Sequence, residues 1–357
     1  MASSVTIEEL LQILVDQNGS DLHISAGSPP KVRVDGRLYD TEHGVLRPDA
    51  TKNLIYSYLT GDQISRFEKE HELDMSFGVE GLGRFRVNVF YQRGSVASVL
   101  RMIPSQVRGF DELGLPRRIC EDIASLPRGL VLVTGATGSG KSTTLAAVLD
   151  YINETRADHV LTIEDPIEFL HRNKGCLFNQ REVGSDTKGF GRALRSALRE
   201  DPDVVLVGEM RDMETIEAAL TIAETDHLTF GTLHTSDCVQ SINRIIDVFP
   251  SHQQQQIRTQ LSFTLQYVLC QQLVPTAVGA GRALALEIMV ANSAVRALIR
   301  DDKAHQIYSI IQTGGKLGMQ TMNQCLGSLV RQSVITFEQA EERSSDVEDL
   351  KRTLQRI

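Results

Sequence analysis

The sequence predicts a two-part α/β protein: an α+β domain over residues 1–102, then an α/β domain over 116–357 whose last part, from about 292, is helical. Three observations carry this reading. From residue 130 onward, short apolar runs at 130–133, 160–163, 204–207, 228–233 and 283–289 alternate with helical stretches. That is the pattern of a parallel sheet covered on both faces. Before residue 102 the strands instead alternate polar and apolar residues, as in an antiparallel sheet with one open face. Between the two, residues 103–115 concentrate Pro, Gly and polar residues, which marks a linker.

Taken in order, residues 6–17 place Ile7, Leu10, Leu11, Leu14 and Val15 at helical spacing. Residues 21–25 and 31–38 alternate, and Asp35-Gly36 signals a hairpin turn. Helical spacing returns over 49–70. Alternation resumes at Leu73, Met75, Phe77 and Val79, then again from Phe85 through Val87 and Val89 to Leu100. The glutamine run at 253–256 reads as the polar opening of a helix. After Ala291 the chain is expected to be helical to its end, with Thr336 and Gln339 spaced as a capping box.

Composition narrows the function. Lys and Arg number 37 against 46 Asp and Glu, a net charge of −9, which argues against a general nucleic-acid binder. Trp is absent, so an aromatic platform for single strands is not expected. The five cysteines are scattered, without a C-x-x-C pair, unlike a disulfide scaffold or a structural zinc site. The first ten residues lack the basic start and apolar core of a signal peptide. No stretch approaches the roughly 20 apolar residues of a membrane span. A cytoplasmic protein is expected, reaching a membrane only through a partner.

Residues Gly135-Ala136-Thr137-Gly138-Ser139-Gly140-Lys141-Ser142 follow the first apolar run and open a helical stretch. This is G-x-x-x-x-G-K-[ST] in its strand-to-helix setting, a cradle for phosphates. The glycines let backbone N–H groups turn toward phosphate oxygens. Lys141 supplies a point charge for the β and γ phosphates, and Ser142 a hydroxyl for Mg²⁺. Thr143 continues into the first helical turn, whose positive end faces the phosphates. A nucleoside triphosphate, ATP with Mg²⁺, is the expected ligand.

Two apolar strands end in carboxylates. The run at 204–207 leads to Glu209, expected at the C-terminal edge of a central strand, where it can hold the Mg²⁺ shell or orient the attacking water. The run at 160–163 leads to Glu164 and Asp165, stopped by Pro166. His227 and His234 bracket a further strand seven residues apart, so they fall on opposite faces and make a poor joint metal site. His234 is a candidate contact for the γ-phosphate, a structural hydrogen bond being the alternative. The segment 83–109 holds Arg84, Arg86, Arg93, Arg101 and Arg108 with no acid. Arg84 and Arg86 share one strand face. These arginines are expected either to reach a nucleotide held by a neighbouring subunit, as arginine fingers do, or to form a solvated basic face.

Together these segments resemble the secretion and type IV pilus ATPase superfamily, and within it the retraction ATPases of twitching motility. The likeness is carried by the loop 135–142, the acidic box 162–169, the stretches 198–203 and 208–212, the histidine box 224–235, and the opening 19–30. It implies a RecA-like P-loop ATPase core behind a PAS-like N-terminal domain, assembled as a homohexamer. Glu209 would be the catalytic glutamate, Glu164 would assist at Mg²⁺ and the water, and His234 would lie near the γ-phosphate. Arg86 and Arg101 fall where the family places arginines that reach the nucleotide.

Residues 294–301 are similar to the A-I-R-N-L-I-R-E signature of the retraction enzymes, departing at Val295, Ala297 and Asp301. Ala136 stands where many relatives have Pro, and Asp226 where many have Gly. The extension and secretion branches usually carry a longer N-terminal region and a tetracysteine module, so a retraction motor is expected. An accessory retraction paralogue or a pilus-extension or type II secretion ATPase is the alternative, and a DNA-translocating ATPase a more distant one. The partners implied are an inner-membrane platform protein and, through it, pilin, with no direct contact to nucleic acid.

Overall fold

The computed structural model describes residues 5–104, 106–279 and 281–355. Residues 1–4 of the N-terminal segment, Ser105 of the expected linker, Ala280 and the last two residues lie outside the described residues. The chain forms two compact units, Met1–Gln106 with Glu168–Leu170, and Val107–Ile167 with His171–Ile357.

The first unit runs α1 (Ile7–Asp16), β1 (Asp21–Ile24), β2 (Lys31–Val34), β3 (Arg37–Asp40), α2 (Pro48–Tyr56), α3 (Gly61–Glu70), β4 (Glu72–Val79), β5 (Gly83–Gln92) and β6 (Ser95–Ile103). Its 6-stranded sheet has the order β3-β2-β1-β6-β5-β4, with every ladder antiparallel. The alternating residues Leu22, Val32, Val87 and Leu100 put one sheet face against Leu10, Leu11 and Leu14 of α1 and Ile55 of α2. α1 starts where Thr6 and Glu9 form a capping box. The helical spacing over 49–70 is shared between two helices, α2 and α3. Thr60 starts the second: its hydroxyl accepts from the Gln63 amide at 3.3 Å, and Gln63 Oε1 accepts from the Thr60 amide at 2.9 Å.

The second unit runs α4 (Phe110–Leu113), α5 (Arg117–Ala124), β7 (Gly129–Thr134), α6 (Lys141–Thr155), β8 (His159–Glu164), β9 (Leu177–Glu182), α7 (Phe190–Ala197), β10 (Val204–Val207), α8 (Met213–Glu224), β11 (Leu228–Leu233), α9 (Cys238–Asp247) and α10 (Ser251–Thr264). It continues through β12 (Leu265–Pro275), β13 (Arg282–Val290), α11 (Ser293–Arg300), α12 (Ile307–Thr313), α13 (Met322–Arg331), α14 (Phe337–Glu341) and α15 (Val347–Gln355). Its 7-stranded sheet has the order β13-β12-β7-β11-β10-β8-β9. All of its ladders are parallel except β12 with β13. The sheet is therefore mixed, and the run at 283–289, expected in a parallel sheet, is an antiparallel edge strand. Two strands escaped the sequence reading, β9 and β12.

Each central strand is divided between two cores by its period of two. Leu130 and Leu132 of β7, with Val205 and Val207 of β10, pack on the side of α7 to α10. Val131 and Val133, with Val204 and Leu206, pack on the side of α5 and α6. Fully burying one such side chain contributes about 1.5–3 kcal/mol, which explains why these strands are continuous apolar runs. The last helices form a smaller core on the far end of β12 and β13, where Val274 and Ala285 meet Met322, Leu326, Ala340 and Leu350. The Thr336–Gln339 capping box opens α14.

Candidate nucleotide site

The phosphate loop leaves the C-terminal end of β7 and runs into α6. Gly135, Gly138 and Gly140 have φ of 140°, 79° and 91°, a left-handed path that side-chain-bearing residues rarely take. Gly140 sits at the N-cap of α6 with no side chain capping the helix, and the first turn contains no acid. The amides of Lys141, Ser142 and Thr143 thus head a helix whose positive end is left for a ligand anion. Lys141 Nζ folds back on the loop, donating to the carbonyls of Gly135 at 2.8 Å and Ala136 at 3.1 Å. Burial lowers the Lys141 pKa from its ordinary value, and the negative charge of Glu209 opposes that shift. The Ala136 carbonyl also accepts from the Ser139 amide at 3.1 Å. Ala136 enters the loop through its backbone carbonyl. Thr137 and Gly138 are exposed at the rim, and Ser142 is exposed on the first helical turn.

The acids stand at the ends of neighbouring strands. Glu164 closes β8 and is buried; its Oε1 accepts from Thr162 Oγ1 at 2.6 Å and from Gln180 Nε2 at 3.3 Å. Glu209 follows β10 by two residues. Its Oε1 meets His234 Nε2 at 2.9 Å and is also paired with Arg211 Nε. Gly208, just before it, is fastened on both sides. Its amide donates to the Ile163 carbonyl at 2.8 Å, and its carbonyl accepts from Thr232 Oγ1 at 2.5 Å. The ends of β8, β10 and β11 are therefore tied together, and Glu209, Glu164 and His234 are carried on that edge.

His227 sits at the other end of β11, with Nδ1 3.1 Å from the Ile222 carbonyl, a structural bond well apart from His234. Asp226 before it has φ of 68°. This is left-handed backbone, which Asp tolerates better than most side-chain-bearing residues.

Acids from outside the segment 83–109 meet some of its arginines. Antiparallel pairing sets Asp21 opposite Arg33 and Arg101, and Arg101 opposite Arg86. Arg101 Nε donates to Asp21 Oδ1 at 2.8 Å, and Arg33 Nε lies 3.7 Å from Oδ2. Burial raises the Asp21 pKa, but hydrogen bonds from Ser20 and Arg101 outweigh it and hold the carboxyl below its ordinary value. Arg84 donates to Ser76 Oγ at 2.6 Å. Arg93 has φ of 49° in the turn between β5 and β6, and Arg108 lies 4.0 Å from Glu112 in the second unit. Arg33, Arg101 and Arg86 thus share one row, while Arg93 and Arg108 stand elsewhere.

Neither Gln180 nor Arg211 has a role assigned from sequence. Gln180 lies on the edge strand β9, which after Leu177 and Phe178 is polar through Glu182 and carries no sustained apolar signal. Arg211 follows Glu209 by two residues, and that spacing was the available signal. Among the described residues no group of His, Cys, Asp and Glu could cage a metal ion by itself, and no helix is long and apolar enough to cross a membrane. A cation at this loop would depend on Ser142, ligand phosphates and water.

Comparison with known proteins places this geometry. The family profile described as Type II/IV secretion system protein matches residues 5–342. The type IV pilus retraction ATPase PilT of Pseudomonas aeruginosa is 53% identical over 95% of this chain and 98% of its own. A twitching motility protein of Neisseria gonorrhoeae is 50% identical over 90% of this chain and 86% of its own. A crystal structure of the pilus retraction motor PilT with bound ADP superposes with a TM-score of 0.91 at 50% identity, covering 98% of this chain and 99% of that one. The core has the RecA-like P-loop ATPase fold, and the chain belongs to the type II/IV secretion system protein family, the superfamily of GspE and PilT.

Proposed function

We propose that this protein is an ATP-hydrolysing motor that powers type IV pilus retraction. The observation that carries it is a phosphate loop after β7 with Glu164, Glu209 and His234 at the ends of the neighbouring strands, in a chain that matches a retraction ATPase along nearly its whole length. In this reading Gly135, Ala136, Thr137, Gly138, Ser139, Gly140 and Lys141 wrap the phosphates of ATP with backbone N–H groups, and Ser142 and Thr143 continue the contact on α6. The donor set fits: an uncapped helix start, a lysine and an exposed hydroxyl. Mg²⁺ would be held by Ser142 and, through water, by Glu164 and Glu209, where it would neutralise charge on the phosphates. Glu209 orients the attacking water and accepts its proton. His234 holds the Glu209 carboxylate and reaches the γ-phosphate. Thr162 and Gln180 keep Glu164 facing the same edge.

The working assembly is a homohexamer in the cytoplasm. Arg86 and Arg101 of one copy reach the nucleotide of the next, so that hydrolysis in one copy moves its neighbour. Its output goes to an inner-membrane platform protein and through it to pilin, without contact to nucleic acid.

Phosphate release by Glu209→Gln is expected to fall roughly 10²–10⁴-fold, the range for losing a general base, while a fluorescent ADP still binds. Unchanged turnover in this variant ends the proposal. Mixing Lys141→Ala with Arg86→Ala subunits is expected to recover activity that neither has alone; a mixture that stays inactive removes the shared site. In a strain lacking its retraction ATPase, the wild-type protein is expected to restore retraction by itself and Glu209→Gln is not.

A further inference from the structure

β12 lies against β7 on the side away from β11, with Cys270 level with Thr134, so the next residue, Gln271, stands beside the start of the phosphate loop. Gln271 is fully buried, at 0% exposure. Its side-chain Nε2 donates to the Ser139 carbonyl at 2.8 Å. Its own carbonyl oxygen lies 2.3 Å from where a Cβ on Gly135 would stand, and its Nε2 is 3.2 Å from the same point on Gly140. One residue thus meets the loop at its first glycine, at Ser139 and at its last glycine.

The Ser139 carbonyl can only accept, so it fixes which end of the Gln271 amide faces the loop. Gln271 Oε1 is left buried without a partner, and Ser139 Oγ in the same loop is likewise unpartnered. Unpaired buried groups destabilise a fold, and each calls for a reason at its position. A planar trans peptide points its C=O and N–H in opposite directions. Tying the Ser139 carbonyl to Gln271 therefore turns the Gly140 N–H away from Gln271.

We propose that Gln271 is a positioning residue for the phosphate loop: it holds the Ser139–Gly140 peptide with its N–H presented to a nucleoside diphosphate or triphosphate. The proposal rests on the reading that this loop binds nucleotide phosphate. It assigns a role in binding to a strand that the loop motif does not include.

The test uses the full chain and mant-ADP as the probe. Gln271→Leu removes the donor at similar volume, and Gln271→Glu keeps the shape but offers only acceptors. Both variants are expected to keep the wild-type circular dichroism spectrum and to bind mant-ADP about tenfold more weakly, with the steady-state loss appearing in KM rather than kcat. A purely structural glutamine would lower the melting temperature and leave the affinity of the folded protein alone. Folded variants that bind within about twofold of wild type, while Lys141→Ala binds at least tenfold more weakly, overturn the proposal. Failure of both variants to fold assigns Gln271 to the core and also overturns it. If Lys141→Ala itself binds mant-ADP normally, the nucleotide reading fails instead.

Discussion

In the seven-stranded sheet of the second unit both faces are packed away, whereas the six-stranded sheet of the first unit packs only one. The doubly covered sheet has only its strand ends left for chemistry. Lys141, Glu164, Glu209 and His234 all sit within two residues of, or in the loop after, such an end. The singly covered sheet places charge on its open face, where Arg33, Asp21, Arg101 and Arg86 form a row across strands distant in sequence. Burial decides which part of a sheet remains to meet a ligand.

The largest effect expected from this contrast is on stability. Leu132→Ala, in a strand covered on both sides, should cost about 2–5 kcal/mol, the range for emptying a close-packed core site. Arg86→Ala, on the open face, should stay within about 0.5 kcal/mol. Urea midpoints of the two variants check this, and equal losses would break the comparison.

A second expectation concerns Lys141. Burial disfavours its charged form, while a bound phosphate favours it, so nucleotide affinity is complete below the folded pKa and falls as pH rises through it. The alkaline loss should begin below the ordinary lysine range and reach about tenfold. Mant-ADP titrations across pH should show this limb in the wild type and lack it in Lys141→Arg, which stays charged. The same limb in both would assign it to another group.

Asp21 sharpens the picture of the open face. Its folded pKa is held below the unfolded value, so its contribution is present above the unfolded carboxylate pKa and is lost as pH falls through the lower folded one. Asp21→Asn should lower stability by about 1 kcal/mol at neutral pH. The gap to wild type should close in acid, as melting curves taken down the pH scale would show. A gap independent of pH would mean that packing, rather than charge, places Asp21 there.

The smallest effect belongs to Asp226→Gly. With φ of 68°, glycine relieves the left-handed backbone while the exposed pair with Arg128 is lost. A net gain of about 0.5 kcal/mol is expected from the two opposing contributions, seen as a slight rise in melting temperature.

Much of the second unit was legible in sequence because its central strands are buried on both sides and so read as unbroken apolar runs. β12 was missed for a local reason. Thr264 ends α10 and Leu265 starts the strand with no Gly or Pro between them, and Gln271-Gln272 interrupts the apolar run. β9 was missed because an edge strand can be polar, and its Asn179, Gln180 and Arg181 look like a loop. In the site, the loop, the two strand-end acids and His234 were legible as motifs at fixed offsets. Their hydrogen-bond partners, Gln180 for Glu164, Arg211 for Glu209 and Gln271 for Ser139, were not.

By itself, the sequence determined whatever depends on neighbours along the chain: the glycine path of the phosphate loop, the buried strands, the carboxylate after each, and the caps that start helices. Backbone sterics and the burial of side chains two or four residues apart act within a few residues, so they leave a local imprint. Tertiary structure alone decided which strands lie side by side. That choice put β12 under the phosphate loop, reversed the direction of β13, and brought Asp21 across to Arg101 from 80 residues away. Strand order is settled by the packing of two whole cores, and no short window of residues contains that balance.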